Sequence, residues 1–128
     1  MTLSERSALI TLYFERLSAS DIDGVIALFE PEAQVHSPFL GQVAAAPFFH
    51  RLGRASRASR LQVFDILLSE GGTSAAAYFQ YDWTLQSGEQ IVFQGVDHFT
   101  FGTTGRFAAL RIFYDTHPIR EAVGDKYG

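Results

Sequence analysis

The sequence predicts a single α+β domain over residues 1–128, with helices first and an antiparallel sheet after them. In the first third of the chain, apolar residues recur every three or four positions, as they do along one face of a helix. From Leu61 onward the period becomes two, which is typical of strands with one covered face. Turn-forming residues at 70–72, 87–89 and 102–105 divide this second part into a meander of strands.

The first helix is predicted from Leu9, Tyr13 and Leu17, which fall on one helix face. Thr2 and Glu5 have the spacing of a capping box and are expected to begin this helix. The start of the domain is therefore a capped amphipathic helix with a tyrosine on its apolar face.

Three further elements are predicted before the meander. A second helix is expected over 21–29, with Ser20 or Asp21 as its cap, followed by a strand over 35–39. A third helix is expected over 43–52. Its early Pro47 requires that the regular helix begins close to that residue.

The strand around Gly95 carries the most informative pattern of the meander. Its residues of one face are Ile91, Phe93, Gly95, Asp97, Phe99 and Phe101. Asp97 is the only ionisable member of that face, so we expect its carboxyl to be partly buried. Glycine in mid-strand also predicts strong curvature at this point of the sheet.

A buried carboxyl favours its neutral form, which can donate a hydrogen bond to a developing oxyanion. A tyrosine hydroxyl can do the same, and Tyr13 is the candidate on the first helix. The alternative is structural: Asp97 would bind a backbone amide near Gly95, and Tyr13 would be a core residue with its hydroxyl at the edge.

Composition excludes several classes of protein. A formal charge of −4 argues against a nucleic-acid partner, and the absence of cysteine removes disulfides and thiolate catalysis. No apolar stretch approaches the length of a membrane span, so we expect a soluble, cytoplasmic protein without a membrane partner. Twelve phenylalanines predict an aromatic core or an apolar ligand pocket.

Several stretches of the chain resemble one superfamily. They are 12–17, 20–29 and 33–38, followed by 96–101, 105–106 and the terminal strand 108–115. In this order they are similar to the nuclear transport factor 2-like superfamily, and closest to its ketosteroid isomerase and SnoaL-like branches. The similarity spans roughly residues 8 to 115 and is more specific for the fold than for any activity.

The resemblance implies a cystatin-like cone, in which a curved sheet and helices enclose an apolar cavity, often in a homodimer. It places Tyr13 and Asp97 where the isomerases have their two oxyanion donors. Those enzymes have a catalytic aspartate directly before a proline, whereas this chain has Ser37 before Pro38. A serine hydroxyl is not a useful base near neutral pH without a basic neighbour, so steroid isomerisation is not expected.

The predicted ligand is therefore a small hydrophobic molecule with a carbonyl or hydroxyl directed at Tyr13 and Asp97. Its predicted pocket walls are Phe29, Ser37, Phe39, Phe49, Trp83, Phe99, Leu110, Ile112 and Tyr114. The catalytic hypothesis is cofactor-independent proton transfer or polyketide-cyclase-like chemistry, and the alternative is a non-catalytic binding or dimerisation module. A third hypothesis, hydrolysis by an ionised Asp97, needs a nearby arginine, and Arg111 is expected on the outer face.

Other polar residues are assigned to the surface. His36 and His98 should alternate away from the pocket, and no spacing of His, Asp or Glu predicts a metal. The arginines at 51, 54, 57 and 60 are interpreted as a solvated basic stripe. The outer sheet face is predicted to mediate a homodimer through Tyr78, Val92, Val96 and Phe113.

Overall fold

The structure, a computed structural model, describes residues 1–38 and 40–116. The elements of this part are α1 (Leu3–Ser18), α2 (Ile22–Ile26), β1 (Phe29–Ser37), β2 (Gly41–Ala44), α3 (Ala45–Ala55), β3 (Ser56–Leu68), β4 (Ser74–Leu85), β5 (Gln90–Phe101) and β6 (Phe107–Tyr114). The strands form one sheet in the order β2-β1-β6-β5-β4-β3. The predicted α+β class and the order of helices before meander are confirmed.

One strand pair departs from the predicted antiparallel sheet. β1 runs parallel to β6, while the other four pairs are antiparallel. This pair joins the first and last strands of the described residues, so its direction depends on long-range packing that local sequence patterns do not encode. The predicted antiparallel sheet is confirmed for the other four pairs, and β1–β6 is the exception.

The predicted caps of the first two helices are present. In α1, the Glu5 amide donates to Thr2 Oγ1 at 3.0 Å and the Thr2 amide donates to Glu5 Oε1 at 3.3 Å, which completes the capping box. In α2, Asp21 Oδ1 accepts a hydrogen bond from the Gly24 amide at 3.0 Å. These caps fix where each helix begins.

The predicted boundaries between residues 21 and 61 require correction. The second helix ends at Ile26, and Phe29 already begins a strand that runs to Ser37. The third helix covers Ala45–Ala55, because residues 41–44 pair with β1 as a short strand. Pro47 lies in the first turn of α3, where a helix makes no use of the missing N–H. β3 begins at Ser56, earlier than the predicted Leu61.

The core is an aromatic cluster centred on Tyr13. The ring of Tyr13 meets Phe14, Phe99, Phe49 and Phe107 edge to face, with centroids 5.0, 5.3, 6.0 and 6.2 Å away. Edge-to-face contacts of this kind add to the free energy gained from burying the rings. The cluster holds α1 against the inner face of the sheet and fixes the position of the Tyr13 ring.

Gly95 allows β6 to approach β5 closely. A Cβ atom at Gly95 would lie 2.6 Å from the carbonyl oxygen of Phe113 and 3.0 Å from Cβ of Tyr114. Real side chains do not tolerate such distances, so only glycine fits there without a backbone shift. Two residues further along the same face of β5 lies Asp97.

None of the helices among the described residues is long and apolar enough to cross a membrane.

Candidate functional site

The sheet and the helices enclose a cavity of about 360 Å³. Its walls come from α1, β1, α3 and strands β3 to β6, and they are formed by Tyr13, Leu17, Ser37, Leu40, Phe48, Arg51, Leu52, Ala55, Leu61, Phe79, Tyr81, Trp83, Ile91, Phe93, Asp97, Ile112 and Tyr114. A volume of this size is in the range of small-molecule sites, which are usually apolar with a few placed polar groups.

The lining residues differ in exposure, so the cavity has a buried end and an exposed end. Tyr13, Phe79 and Asp97 are buried, and we call their side the closed end. Leu40 is 42% exposed, and Arg51 and Ala55 are exposed as well, so we call their side the open end. A ligand would therefore enter past α3 and reach Tyr13 and Asp97 last.

Asp97 is the buried carboxyl of the closed end. It is 3% exposed and faces the same side of β5 as Phe99, which is fully buried. Its Oδ1 atom has no hydrogen-bond partner among the described residues. Burial raises the pKa of Asp97 well above its ordinary value of 3.8, because the charged form would lose its hydration. Burial therefore favours the proton-bearing form of the carboxyl, which lines the closed end of the cavity.

Tyr13 is the second proton-bearing group of the closed end. It is 2% exposed, and its position on α1 follows from the apolar face that packs against the sheet. Burial is the largest cause that raises the pKa of Tyr13 well above 10.0, and any negative charge on the neighbouring Asp97 or Tyr81 would raise it further. At neutral pH its hydroxyl is therefore a hydrogen-bond donor close to Asp97.

Two other polar side chains of the wall are held by neighbours on β3. The hydroxyls of Tyr81 and Ser59 are 2.7 Å apart and form a hydrogen bond. The indole N–H of Trp83 donates to Ser56 Oγ at 2.7 Å, and that hydroxyl donates to the Leu52 carbonyl at 2.6 Å. These bonds occupy the polar atoms of both aromatic residues, so their rings contribute apolar surface to the cavity.

Six residues predicted for the site line the cavity: Tyr13, Ser37, Trp83, Asp97, Ile112 and Tyr114. Four others lie in the core instead, namely Phe29, Phe49, Phe99 and Leu110. The rings of Phe29 and Phe49 are 5.2 Å apart and that of Phe99 is 4.6 Å from Phe107, so these side chains fill the space behind the closed end. Phe39 lies outside the described residues.

The sequence predicted Phe49 of this helix as a wall residue, but a different face of α3 lines the cavity. Phe48, Arg51, Leu52 and Ala55 have the spacing of one helix face, and all four line the cavity. This spacing is visible in the sequence, but the misplaced helix boundary concealed it. The strand residues Phe79, Tyr81, Ile91 and Phe93 were also missed, although they alternate on the face that includes Asp97.

The residues assigned to the surface do not line the cavity. His98 and Arg111 are exposed and face each other across β5 and β6, as predicted. His36 also lies outside the lining. The four arginines do not form one stripe, because Arg51 and Arg54 belong to α3 whereas residues 57 and 60 belong to β3. Among the described residues, no group of three or more acidic, histidine or cysteine side chains could hold a metal ion.

The raised pKa of Asp97 predicts that the folded protein loses stability as the pH rises. Below about pH 4 the carboxyl is protonated in both the folded and the unfolded chain. Above that pH only the unfolded chain releases the proton, so stability falls by up to about 1.4 kcal/mol per pH unit until the folded pKa is reached. We expect Asp97→Asn to have the same free energy of unfolding as the wild type at low pH and a larger one at roughly pH 8. Urea unfolding of both proteins across this pH range measures the difference. If the free energies of unfolding of the two proteins changed with pH in the same way, Asp97 would not be the titrating group.

A family model supplies the decisive comparison, because the model of the SnoaL-like domain matches residues 10–110 of this chain. The chain belongs to the SnoaL-like domain family. The match covers more than half of the chain and includes Tyr13, Ser37 and Asp97.

Solved structures show the same fold as this SnoaL-like domain. SalBIII, an epoxide hydrolase/cyclase-like enzyme connected with pyran ring formation in the polyether salinomycin, is 19% identical with a TM-score of 0.76, over 88% of this chain and 92% of its own. A candidate polyketide cyclase from Xanthomonas campestris pv. campestris is 16% identical with a TM-score of 0.76. The match covers 94% of this chain and 98% of that protein.

A third similar structure is a nuclear transport factor 2-like protein of unknown function from Burkholderia pseudomallei. It is 18% identical with a TM-score of 0.77, over 98% of this chain and 100% of its own. At these identities the comparisons establish the fold alone. The predicted nuclear transport factor 2-like fold is thereby confirmed.

Proposed function

We propose that this SnoaL-like domain binds a small, largely apolar molecule whose carbonyl or hydroxyl oxygen accepts hydrogen bonds from Tyr13 and Asp97. The observation that carries the proposal is the pair of buried groups at the closed end, because burial favours the protonated form of both. Asp97 Oδ1 has no partner among the described residues, and a buried polar atom without one is costly. Asp97 also lines the cavity, so a ligand oxygen at the closed end would meet its carboxyl.

The chemistry that suits these groups is an acid-assisted step. When an α-proton leaves a ketone, or a nucleophilic carbon attacks its carbonyl, the electron pair moves onto the carbonyl oxygen. Tyr13 and a protonated Asp97 would stabilise the charge that develops there. SalBIII is described as cyclase-like and the Xanthomonas protein as a candidate polyketide cyclase, which supports a ring-closing or proton-transfer reaction of an oxygenated polyketide-like molecule.

A non-catalytic binding module is the second candidate, and one observation favours it. Among the described residues of the cavity wall, Ser37 is the group at the position of the missing base, and no histidine or lysine lines the cavity. A serine hydroxyl alone does not remove an α-proton at neutral pH. Binding without turnover would be the behaviour of such a protein.

Ligand affinity tests the proposal directly. We expect 4-ethylphenol to bind more tightly than ethylbenzene, and Tyr13→Phe or Asp97→Ala each to weaken phenol binding by roughly two- to tenfold, since a hydrogen bond between neutral groups contributes about 0.5 to 1.5 kcal/mol. Ethylbenzene should bind all variants alike. Tyr78→Phe is the matched control, because that tyrosine lies on the exposed outer face. Equal affinities for both compounds in every variant would leave only a packing cavity.

We also infer that the outer sheet face forms a homodimer. Phe64, Tyr78, Val96 and Phe113 are exposed and follow one another across β3 to β6, with Tyr78 opposite Val96 and Val96 opposite Phe113 in the strand register. The rings of Phe64 and Tyr78 are 4.9 Å apart. These four residues form an apolar strip of the kind that a second copy covers, and Val92 is a further exposed apolar residue on the same face of β5.

Sedimentation measures this assembly. The wild type should sediment at about twice 14.2 kDa at micromolar concentration, and Phe113→Glu should give the monomer, because a charge would be buried in the interface. Leu3→Glu is the control, since Leu3 is equally exposed but lies on α1. A wild-type monomer at high concentration would contradict the inference.

A further inference from the structure

Arg51 is the one lining residue among those described that carries a positive charge. It lies on the face of α3 formed with Phe48, Leu52 and Ala55, so the helix directs it to the cavity. Arg54 follows three residues later, is exposed, and does not line the cavity. The two arginines therefore differ in what they face, although the sequence pattern treats them alike.

The surroundings of Arg51 leave its charge available. No ion pair involves Arg51 within residues 1–38 and 40–116, and Asp97, the carboxyl of the cavity, is at the opposite end and favours its neutral form. Arg51 is exposed and, like the exposed Leu40, lines the cavity. An arginine in such a place can cover apolar wall with its methylene stem while the guanidinium stays in contact with water. A guanidinium in such a place matches a carboxylate, because its planar donors can bind both oxygens.

We infer that the natural ligand is a molecule with two unlike ends, in which a carboxylate pairs with Arg51 at the open end while a carbonyl or hydroxyl oxygen reaches Tyr13 and Asp97. This inference rests on the proposed function and narrows its ligand class to oxygenated apolar acids. The protein carries a net charge of −4, so anions are not attracted to its surface in general. Arg51 therefore acts as a specificity determinant that selects an anionic ligand at the mouth of the cavity.

The test compares two probes that differ only in charge at one end. They are 6-hydroxy-2-naphthoate and its neutral amide, with the longer 4′-hydroxybiphenyl-4-carboxylate and its amide as a second pair. In the wild type, the carboxylate of at least one pair should bind about tenfold more tightly than its amide, as expected for a charge-assisted bidentate contact at a partly exposed site. Added salt should reduce this ratio, because the contact is open to solvent.

Substitutions locate the effect. Arg51→Gln should bring the ratio of carboxylate to amide affinity close to one, while Arg51→Lys should retain part of it. Arg54→Gln is the matched control on the same helix and should leave the ratio unchanged. A ratio that is the same in the wild type and in Arg51→Gln, or no preference for either carboxylate, would overturn the inference.

The readouts separate this inference from the proposed function. All four probes carry the hydroxyl that Tyr13 and Asp97 would bind, so the ratio within a pair reports Arg51 alone. The effect of Tyr13→Phe on both members of a pair reports the closed end. If the ratio depends on Arg51 but Tyr13→Phe has no effect, the carboxylate site at Arg51 is supported and the site at Tyr13 and Asp97 is refuted. If Tyr13→Phe weakens binding but the ratio does not depend on Arg51, the proposed function is supported and this inference is refuted.

Discussion

Ser37→Asp is expected to turn the protein into a ketone isomerase. Ser37 lines the cavity with Tyr13 and Asp97, so an aspartate there would place a carboxylate on the same side of β1 as a bound ketone. General base catalysis by a positioned group accelerates proton transfer by about 10²- to 10⁴-fold. The substrate is a β,γ-unsaturated cyclic ketone, and the absorbance of its conjugated product measures the rate.

Two controls isolate the introduced base. In Ser37→Asn the side chain has nearly the shape of aspartate but is not a base, so this variant should remain as inactive as the wild type. The double variant Ser37→Asp with Asp97→Ala should lose most of the gained rate, because the enolate oxygen would lose a donor. A fast wild type would show that another group is already the base. A Ser37→Asp protein that binds the ketone without turning it over would favour the binding module.

Phe99→Ala is expected to cause the largest loss of stability. The Phe99 side chain is fully buried, and its ring lies 5.3 Å from Tyr13 and 4.6 Å from Phe107. Removing a buried phenylalanine ring costs about 3 to 5 kcal/mol, because transfer free energy is lost and a cavity remains. Urea unfolding measures the change, and Phe99→Leu supplies a milder variant, with a cost of about 1 to 2 kcal/mol, if the alanine variant does not fold.

Phe93→Ala is the matched comparison on the same face of β5. Phe93 lines the cavity and is only half-buried, so its removal should cost about 1 to 2 kcal/mol and should change ligand affinity more than Phe99→Leu does. Equal costs for the two alanine variants would place Phe99 against the cavity, where the sequence predicted it.

The parts of the fold that were predictable are those encoded by local patterns. The capping box of Thr2 and Glu5 marks the start of α1, and alternation along β5 puts Asp97 on the inner face. That Tyr13 and Asp97 line one cavity was implied by the resemblance to the isomerases and not by these two patterns. The surface positions of His98 and Arg111 follow from the same alternation.

The elements between residues 29 and 55 were less predictable, because long-range pairing decides them. β2 exists because residues 41–44 find β1 as a partner, and β1 itself lies between β2 and β6. Helix α3 therefore begins and ends later in the sequence than predicted, and its later part includes the cavity face with Arg51. Local periodicity contains no information about such partners.

The division of the aromatic residues into core and cavity wall also depends on three-dimensional packing. Phe93 and Phe99 share one face of β5, yet Phe93 lines the cavity and Phe99 lies in the core. The difference arises because α1 covers the Phe99 end of the strand, with Tyr13 and Phe14 packed on that ring. Period-two patterning identifies the buried face of a strand, but not the point along it where the helices leave space.

The vibrational frequency of a bound ketone tests the central claim most directly. The carbonyl stretch of 2-acetylnaphthalene, labelled with ¹³C at the carbonyl, reports the hydrogen bonds that its oxygen accepts. The account predicts that in the wild type this band lies below its frequency in a hydrocarbon solvent. It should return part of the way in Tyr13→Phe and in Asp97→Ala, and all of the way in the double variant, since each lost donor no longer polarises the carbonyl. A band at its hydrocarbon-solvent frequency in the wild type, unchanged in all variants, would show that Tyr13 and Asp97 do not address a ligand oxygen.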